Sequence, residues 1–110
     1  MIVHASCVAL GGRGVLILGG SGAGKSGLAL QLMAYGAALV SDDRTILSNR
    51  DGALQAAAPD TIRGRIEARG IGILNAAAAD PCRVVLAIDM DRIETARMPP
   101  PRDWTACDAT

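Results

Sequence analysis

The stretch GGSGAGKS has the residue types and spacing of a phosphate-binding loop. It matches the pattern GxxxxGK[ST] without mismatch, over Gly19, Gly20, Ser21, Gly22, Ala23, Gly24, Lys25 and Ser26. Glycines let successive backbone amides converge on a phosphate, and a following helix adds the partial positive charge of its N-terminus. In such a loop Lys25 reaches phosphate oxygens and the Ser26 hydroxyl ligates Mg²⁺. We therefore predict a nucleotide or pyrophosphate site, in preference to a glycine-rich turn that binds nothing.

Lys25 is also unusual in the composition of the chain. The sequence has eleven basic residues, and Lys25 is the single lysine among them. A site that needs a compact, flexible ammonium explains this choice, because a guanidinium is planar and bulkier.

Two adjacent aspartates, Asp42 and Asp43, follow an apolar run over residues 37–40. Ligands of α/β proteins bind at the carboxyl ends of parallel strands. If the strand formed by this run pairs beside the strand that precedes the loop, the aspartates lie next to the phosphates. There an aspartate can accept the proton of an attacking hydroxyl, and nearby negative charge favours its protonation. The alternative is an Asp-Asp turn without chemistry.

A second apolar run, residues 84–88, precedes Asp89 and Asp91. Such a run is the more usual place for a magnesium-binding aspartate of a P-loop enzyme. The two aspartates alternate with apolar residues, however, so we interpret them as an exposed strand end.

The remaining elements follow from hydrophobic periodicity and turn residues. A helix over 25–35 ends at Gly36, and Asp51-Gly52 joins two strands in a hairpin. Pro59-Asp60 opens a helical turn, and Gly70 and Gly72 break the strand over 66–74. The other predicted strands cover residues 1–10, 15–18, 37–40, 44–50, 53–58 and 84–88. The pattern predicts an α/β fold with a P-loop, a mixed β-sheet and few helices.

Composition limits the class of protein. The 110 residues are half apolar and one fifth charged, which predicts a single globular domain over residues 1–110. Zero net charge argues against nucleic-acid binding. With no apolar run near ~20 residues and no signal-peptide pattern, we expect a cytoplasmic protein that does not contact membranes. Residues 98–110 match no element.

Metal binding through cysteine is not expected. Cys7, Cys82 and Cys107 are far apart, and His4 is the single histidine. A zinc site needs about four such ligands, so we interpret the cysteines as reduced structural thiols.

Four segments in order, VHASCVAL, GGSGAGKS, LVSDDR and IEARGIGIL, resemble the catalytic domain of HPr kinase/phosphorylase. The likeness covers roughly residues 1 to 90 and does not include that family's N-terminal regulatory domain. It implies a P-loop fold of the phosphoenolpyruvate carboxykinase-like type. It also implies phosphorylation of a serine of the phosphocarrier HPr or an HPr-like carrier, with Mg²⁺ and with ATP or pyrophosphate as donor, and phosphorolysis of the phosphoserine. A homo-oligomer is a further implication.

The resemblance also implies roles for individual residues. Asp42 corresponds to the carboxylate that takes the serine proton and returns it in the reverse reaction. His4 lies where the family has a catalytic-site histidine, although from the residues alone it reads as an ordinary strand histidine. Glu67 matches a magnesium ligand beside Ser26.

Two further residues are expected to support these. Asp43 assists Asp42 or the metal. Arg69, two residues after Glu67, lies on the same face if the segment is a strand.

Two other functions stay open. One is a nucleotide-binding regulatory module without phosphotransfer, because MPPPRDW, residues 98–104, does not match the family's basic loop. The other is a small-molecule P-loop kinase, although the arginines are scattered and form no separate basic lid. Members of the family usually have an arginine beyond the position of residue 90, and Arg97 or Arg102 would replace it in this chain.

Overall fold

The computed structural model describes residues 1–20, 22–68 and 71–91. The described chain forms nine strands, one α-helix and one 3-10 helix. The strands are β1 (Ile2–Val3), β2 (Ala5–Leu10), β3 (Arg13–Leu18), β4 (Ala38–Ser41), β5 (Thr45–Arg50), β6 (Ala53–Ala57), β7 (Arg65–Ala68), β8 (Gly72–Asn75) and β9 (Cys82–Asp89). Helix α1 is Lys25–Ala34, and the 3-10 helix is Asp60–Ile62.

Seven strands form one mixed sheet in the order β1-β5-β6-β9-β3-β2-β4. Strands β3 and β9 pair in parallel, and the other neighbours in this sheet pair antiparallel. The predicted mixed sheet with few helices is confirmed. The predicted helix end is confirmed as well, since Gly36 has a φ of 107° and its amide donates to the Met33 carbonyl.

The prediction of one broken strand over residues 66–74 is wrong. These residues belong to an antiparallel hairpin, β7 with β8, that forms a second sheet with Glu67 opposite Ile73. Gly72 begins β8 and has a φ of 119° that favours glycine, whereas Gly70 lies outside the described residues.

The strand that ends at the aspartates is not the direct neighbour of the strand before the loop. Strand β2 lies between β3 and β4 and pairs antiparallel with both. Strands β3 and β4 therefore run in the same direction and end at the same edge of the sheet. Their separation is about two strand spacings, or roughly 9.5 Å. The two strands therefore end at the same edge of the sheet, as predicted, although they pair with β2 and not with each other.

Two clusters of buried side chains fill the two faces of the sheet. The face that carries α1 and β7 packs Val8, Ile17 and Leu39 against Ala29 and Ile66. The opposite face has Cys7, Leu16, Val40, Leu47, Ala56 and Cys82 among its buried residues. Burial of these apolar side chains fixes the register of β2, β3 and β4, and hence the positions of the site residues.

Several predictions fall on residues outside the described ranges. These are Ser21, Arg69, Arg97, Arg102, Cys107 and the segment 98–110. Within the described ranges no helix is both long and apolar enough to cross a bilayer.

Candidate functional site

The phosphate loop has left-handed glycines and a buried lysine. Gly22 and Gly24 have φ values of 85° and 96°, which a residue with a side chain adopts only with strain. Gly24 is the N-cap of α1, and the Leu28 amide donates to its carbonyl at 3.0 Å. Lys25 is 5% exposed, and its Nζ donates to the Gly20 carbonyl at 2.9 Å. The loop thus folds back on its own lysine beside the helix N-terminus.

Asp42 is the centre of a hydrogen-bond network at the end of β4. Its side chain is buried, and its Oδ1 accepts from the Ser26 hydroxyl at 2.6 Å and the Ser6 hydroxyl at 2.9 Å. Its Oδ2 accepts from the backbone amide of Glu67 at 3.0 Å. One carboxylate therefore joins the phosphate loop, strand β2 and the hairpin formed by β7 and β8.

Asp43 occupies a tight turn immediately after it. The Arg44 amide donates to the Asp42 carbonyl at 2.7 Å, and Asp43 between them has a φ of 65°. A hydrogen bond across three residues with positive φ at the centre is a γ-turn, a rare and strained conformation. Strained backbone of this kind is concentrated at functional sites.

The γ-turn gives the two aspartates different partners. The Asp43 carboxylate lies 3.3 Å from Nζ of Lys25, whereas the Asp42 carboxylate contacts Ser6, Ser26 and Glu67. The pair is thus both a turn and part of the candidate site, and Lys25 offsets the charge of Asp43.

A cavity of about 620 Å³ brings most of the predicted residues together. Its lining includes Gly22, Gly24, Lys25, Ser26, Asp42, Asp43 and Glu67. Leu30 of α1, Arg44 and Ile62 also line it. The cavity is large enough for a nucleotide-sized ligand.

His4 lies apart from this lining. It is exposed between β1 and β2 and is not among the described residues that line the cavity. The next residue, Ala5, donates its backbone amide to the Asp43 carbonyl at 3.0 Å. His4 is therefore adjacent in sequence to a residue that contacts the aspartate turn. Its catalytic role stays a prediction.

Sequence reasoning missed three contributors to the site. Ser6 is a polar residue within the apolar predicted strand 1–10, and this polarity is the signal that could have found it. Arg44 follows the aspartates directly and lines the cavity.

The third contributor is Asp91. It is exposed, as an exposed strand end predicts, but its carboxylate oxygens lie 3.3 and 3.4 Å from the Gly20 amide. Asp89 in turn accepts the Asp91 amide at 3.0 Å. The parallel pairing of Leu18 with Asp89 brings this strand end to the loop.

The described residues contain no group of three or more histidine, cysteine or acidic side chains able to hold a metal. Ser26 and Glu67 nevertheless both line the cavity. Mg²⁺ usually binds one or two carboxylates together with substrate phosphates and waters. The oxygen donors present fit Mg²⁺ shared with a phosphate, and they do not fit a closed protein site.

Comparisons with known proteins identify the family of the chain. Residues 1–88 match the family described as HPr Serine kinase C-terminal domain. The chain belongs to this family. The resemblance of the four sequence segments to the HPr kinase catalytic domain is thereby confirmed.

Members of the HPr serine kinase family from two bacteria illustrate the relationship. An HPr kinase/phosphorylase of Thermoanaerobacter sp. (strain X514) is 47% identical over 74 residues, covering 66% of this chain and 24% of that relative. One from Mycoplasmopsis pulmonis is 37% identical over 84 residues, covering 76% of this chain and 27% of the relative. The chain thus spans about a quarter of the length of these curated relatives.

The fold agrees with a solved structure of the same family. The HPr(Ser) kinase/phosphatase from Coxiella burnetii superposes with a TM-score of 0.74 at 32% identity, covering 81% of this chain and 64% of that chain. The α/β fold with a mixed sheet is therefore that of the HPr kinase catalytic domain.

Proposed function

We propose that this chain forms the phosphotransfer site of an HPr serine kinase, which moves a phosphoryl group from a nucleotide or pyrophosphate to a carrier serine. The substrate is HPr or an HPr-like phosphocarrier protein, and the location is the cytoplasm. The observation that supports this most directly is the position of the Asp42 carboxylate. It lies 2.6 Å from the Ser26 hydroxyl of the phosphate loop and faces the cavity that Lys25 lines. A base and a phosphate cradle thus share one site.

The residues divide the work as phosphoryl transfer requires. The carrier's serine oxygen attacks the terminal phosphorus, the bond from phosphorus to the leaving diphosphate or phosphate breaks, and the serine proton goes to Asp42. In the phosphorolysis, an oxygen of inorganic phosphate attacks the phosphorus of the phosphoserine, the bond from phosphorus to the serine oxygen breaks, and pyrophosphate forms while Asp42 returns the proton to the serine oxygen. Such a reversible proton acceptor needs to be close to the loop, as Asp42 is.

Lys25 has two partners to exchange when a polyphosphate binds. Its ammonium contacts the Gly20 carbonyl and the Asp43 carboxylate, and both compete with phosphate oxygens. Once turned toward the phosphates, the ammonium stabilises the negative charge of the transferring group together with the loop amides. Burial of the side chain strengthens this interaction.

Magnesium belongs to the proposal as well. Ser26 and Glu67 would hold the ion, which when bound neutralises charge on the phosphates. The Glu67 side chain is exposed to the cavity, while its backbone amide holds Asp42. Metal binding and base orientation therefore use different atoms of one residue.

The test is transfer of labelled phosphate from ATP to HPr by the full chain, compared with Asp42→Asn. We expect wild type to label HPr and Asp42→Asn to lose transfer by about a hundredfold or more while retaining nucleotide binding. Lys25→Ala should lose nucleotide binding itself. A matched control is Asp51→Asn, which makes the same chemical change at an exposed turn.

Three outcomes would contradict the proposal. Transfer by Asp42→Asn at the wild-type rate would show that another group accepts the proton. Nucleotide binding by wild type without transfer to any carrier would favour a regulatory module, and transfer to a metabolite instead would favour a small-molecule kinase.

A further inference from the structure

Ser6 is a fully buried serine in an otherwise apolar strand. It lies on β2, has no exposed surface, and is flanked by the buried apolar residues Ala5 and Cys7. Cys7 pairs with Ser41 of β4, so the antiparallel ladder brings Ser6 opposite Asp42. The pairing of the strands therefore delivers a hydroxyl to the carboxylate at the centre of the site.

The direction of the hydrogen bonds of Ser6 is fixed by its partners. Its Oγ lies 2.9 Å from the backbone amide of Asp43, and an amide N–H can only donate. The single hydroxyl proton is therefore free to point to Oδ1 of Asp42, which is also 2.9 Å away. Ser6 thus links the γ-turn to the carboxylate and holds both in one orientation.

The acceptor positions of Asp42 are nearly filled by these contacts. A carboxylate has about four lone-pair positions, two on each oxygen. Oδ1 accepts from Ser6 and Ser26, and Oδ2 accepts from the Glu67 amide. Counting the contacts of the described residues, one position remains, and it is on Oδ2.

We propose that Ser6 is a positioning residue that keeps Oδ1 of Asp42 occupied and so directs the proton of the acceptor serine to Oδ2. This inference rests on the proposed role of Asp42 as proton acceptor. Because the donors to Oδ1 differ in origin, Ser6 keeps its bond when Ser26 turns toward a metal–phosphate complex. The orientation of the carboxylate then survives nucleotide binding.

A purely structural role makes different predictions. A buried hydroxyl that merely satisfies nearby polar groups would lower stability when removed, without changing turnover of the folded enzyme. Removal of a positioning residue lowers kcat and leaves nucleotide affinity unchanged. The removal has no further effect once Asp42 has itself been replaced.

The experiment measures kcat, KM and Tm of the full chain with HPr and ATP for Ser6→Ala and Ser6→Thr. We expect Ser6→Ala to lower kcat about tenfold or more, the effect of losing one hydrogen bond to a charged group, with KM for ATP changed less than about twofold. Ser6→Thr retains the hydroxyl and should recover most of kcat. If the added methyl group prevents folding, Ser6→Cys keeps the size with a weaker donor and should give an intermediate kcat.

A double-mutant cycle and a control variant make the test specific. In an Asp42→Asn background, Ser6→Ala should cause no further loss of the residual rate, because the group that Ser6 orients is gone. Thr45→Val removes another fully buried hydroxyl, whose bond goes to the Ala5 carbonyl at 2.7 Å. It should lower Tm and leave kcat unchanged.

The outcomes separate this inference from the proposed function. If Asp42→Asn abolishes transfer but Ser6→Ala turns over at the wild-type rate, the positioning role is refuted and the proposed function stands. If wild type shows no transfer, the proposed function fails, and amide hydrogen exchange still tests the orientation of Asp42. Ser6→Ala should then speed exchange of the Glu67 amide, which donates to Asp42, and unchanged exchange would refute the inference.

Discussion

The ammonium of Lys25 lies 3.3 Å from the carboxylate of Asp43, a residue whose φ of 65° holds it in a γ-turn. The lysine side chain is 5% exposed and the aspartate side chain 55% exposed. Lys25 is therefore paired with an acidic residue in the structure. Under the proposed function, a bound polyphosphate would replace this pair, so Asp43 would influence nucleotide affinity.

Asp43→Asn should tighten binding of ATP or pyrophosphate by about twofold to fivefold at low salt. The change removes a competitor for Lys25 and a negative charge near the phosphates, and a half-exposed pair contributes at most about 1 kcal/mol. Titration calorimetry at two salt concentrations measures the effect, which should shrink at high salt.

Asp51→Asn is the matched control for this substitution. Asp51 also has a positive φ, 54°, but it occupies the turn between β5 and β6. Its replacement should leave nucleotide affinity unchanged. Weaker binding in Asp43→Asn would mean that the carboxylate holds the loop open for the ligand instead of competing with it.

Glu67→Gln should raise the Mg²⁺ concentration needed for half-maximal turnover by about tenfold and leave Tm nearly unchanged. The carboxylate is exposed, whereas the contact that supports the site is the backbone amide to Asp42, which the substitution retains. Turnover titrated with Mg²⁺, together with a thermal melt, measures both quantities. A lower Tm with unaltered Mg²⁺ dependence would show that the side chain is structural.

Gly14→Ala should lower the free energy of unfolding by about 1–3 kcal/mol, the usual cost of overpacking. A Cβ at this position of β3 would lie 2.7 Å from Sγ of Cys82 and 3.0 Å from the Arg83 carbonyl. Chemical denaturation measures the change.

Gly27→Ala provides the opposite expectation from the same substitution. A Cβ at this position of α1 would have no atom within 4 Å apart from its sequence neighbours and the nearby helix backbone. Alanine should therefore stabilise the helix by about 0.5–1 kcal/mol.

The substitution Cys82→Ala should relieve part of the stability cost of Gly14→Ala. If the two changes in unfolding free energy were fully additive, the contact between these residues would be contradicted.

The stability of the fold should fall with rising pH through Cys7. A hydrogen bond with Cys82 and burial raise the pKa of the Cys7 thiol above its ordinary value. Below about pH 8.5, the usual pKa of an unfolded cysteine, both states keep the proton and the full contribution is present. Above it Cys7 ionises only in the unfolded state, so its contribution to stability falls by up to about 1.4 kcal/mol per pH unit. The same contact lowers the pKa of Cys82, which therefore favours the folded state as the pH rises toward 8.5.

Thermal melts between pH 8 and pH 10 test this dependence. Wild type should lose Tm more steeply than Cys7→Ala over that range. Equal slopes would show that other groups account for the alkaline loss.

The loop, the helix and most strand positions could be predicted from the sequence, because each depends on a local pattern of residues. Gly36 ends α1 at the predicted place, and Asp51-Gly52 turns between β5 and β6 with positive φ at both residues. Strand neighbours depend on contacts distant in sequence. The insertion of β2 between β3 and β4 therefore could not be obtained from periodicity.

The same limit applies to the site. Residues of the loop and the aspartate pair could be recognised because they belong to known sequence motifs. Lys25, Ser26 and Asp42 line one cavity in the structure. Ser6 lies in the segment VHASCVAL, which assigns it no role, and only the register of β2 against β4 makes it a neighbour of Asp42. The contact of Asp91 with Gly20 likewise depends on the parallel pairing of β3 with β9.

The parallel pairing of β3 and β9 also has a consequence for synthesis on the ribosome. Strand β3, which leads into the loop at residues 19–26, is synthesised well before its partner β9, Cys82–Asp89. Until β9 emerges, the nascent chain has an unpaired edge along β3, which is prone to wrong pairing. Closing a contact between such distant segments is slow. The loop at residues 19–26 therefore gains the support of β9 only after residues 82–89 have been synthesised.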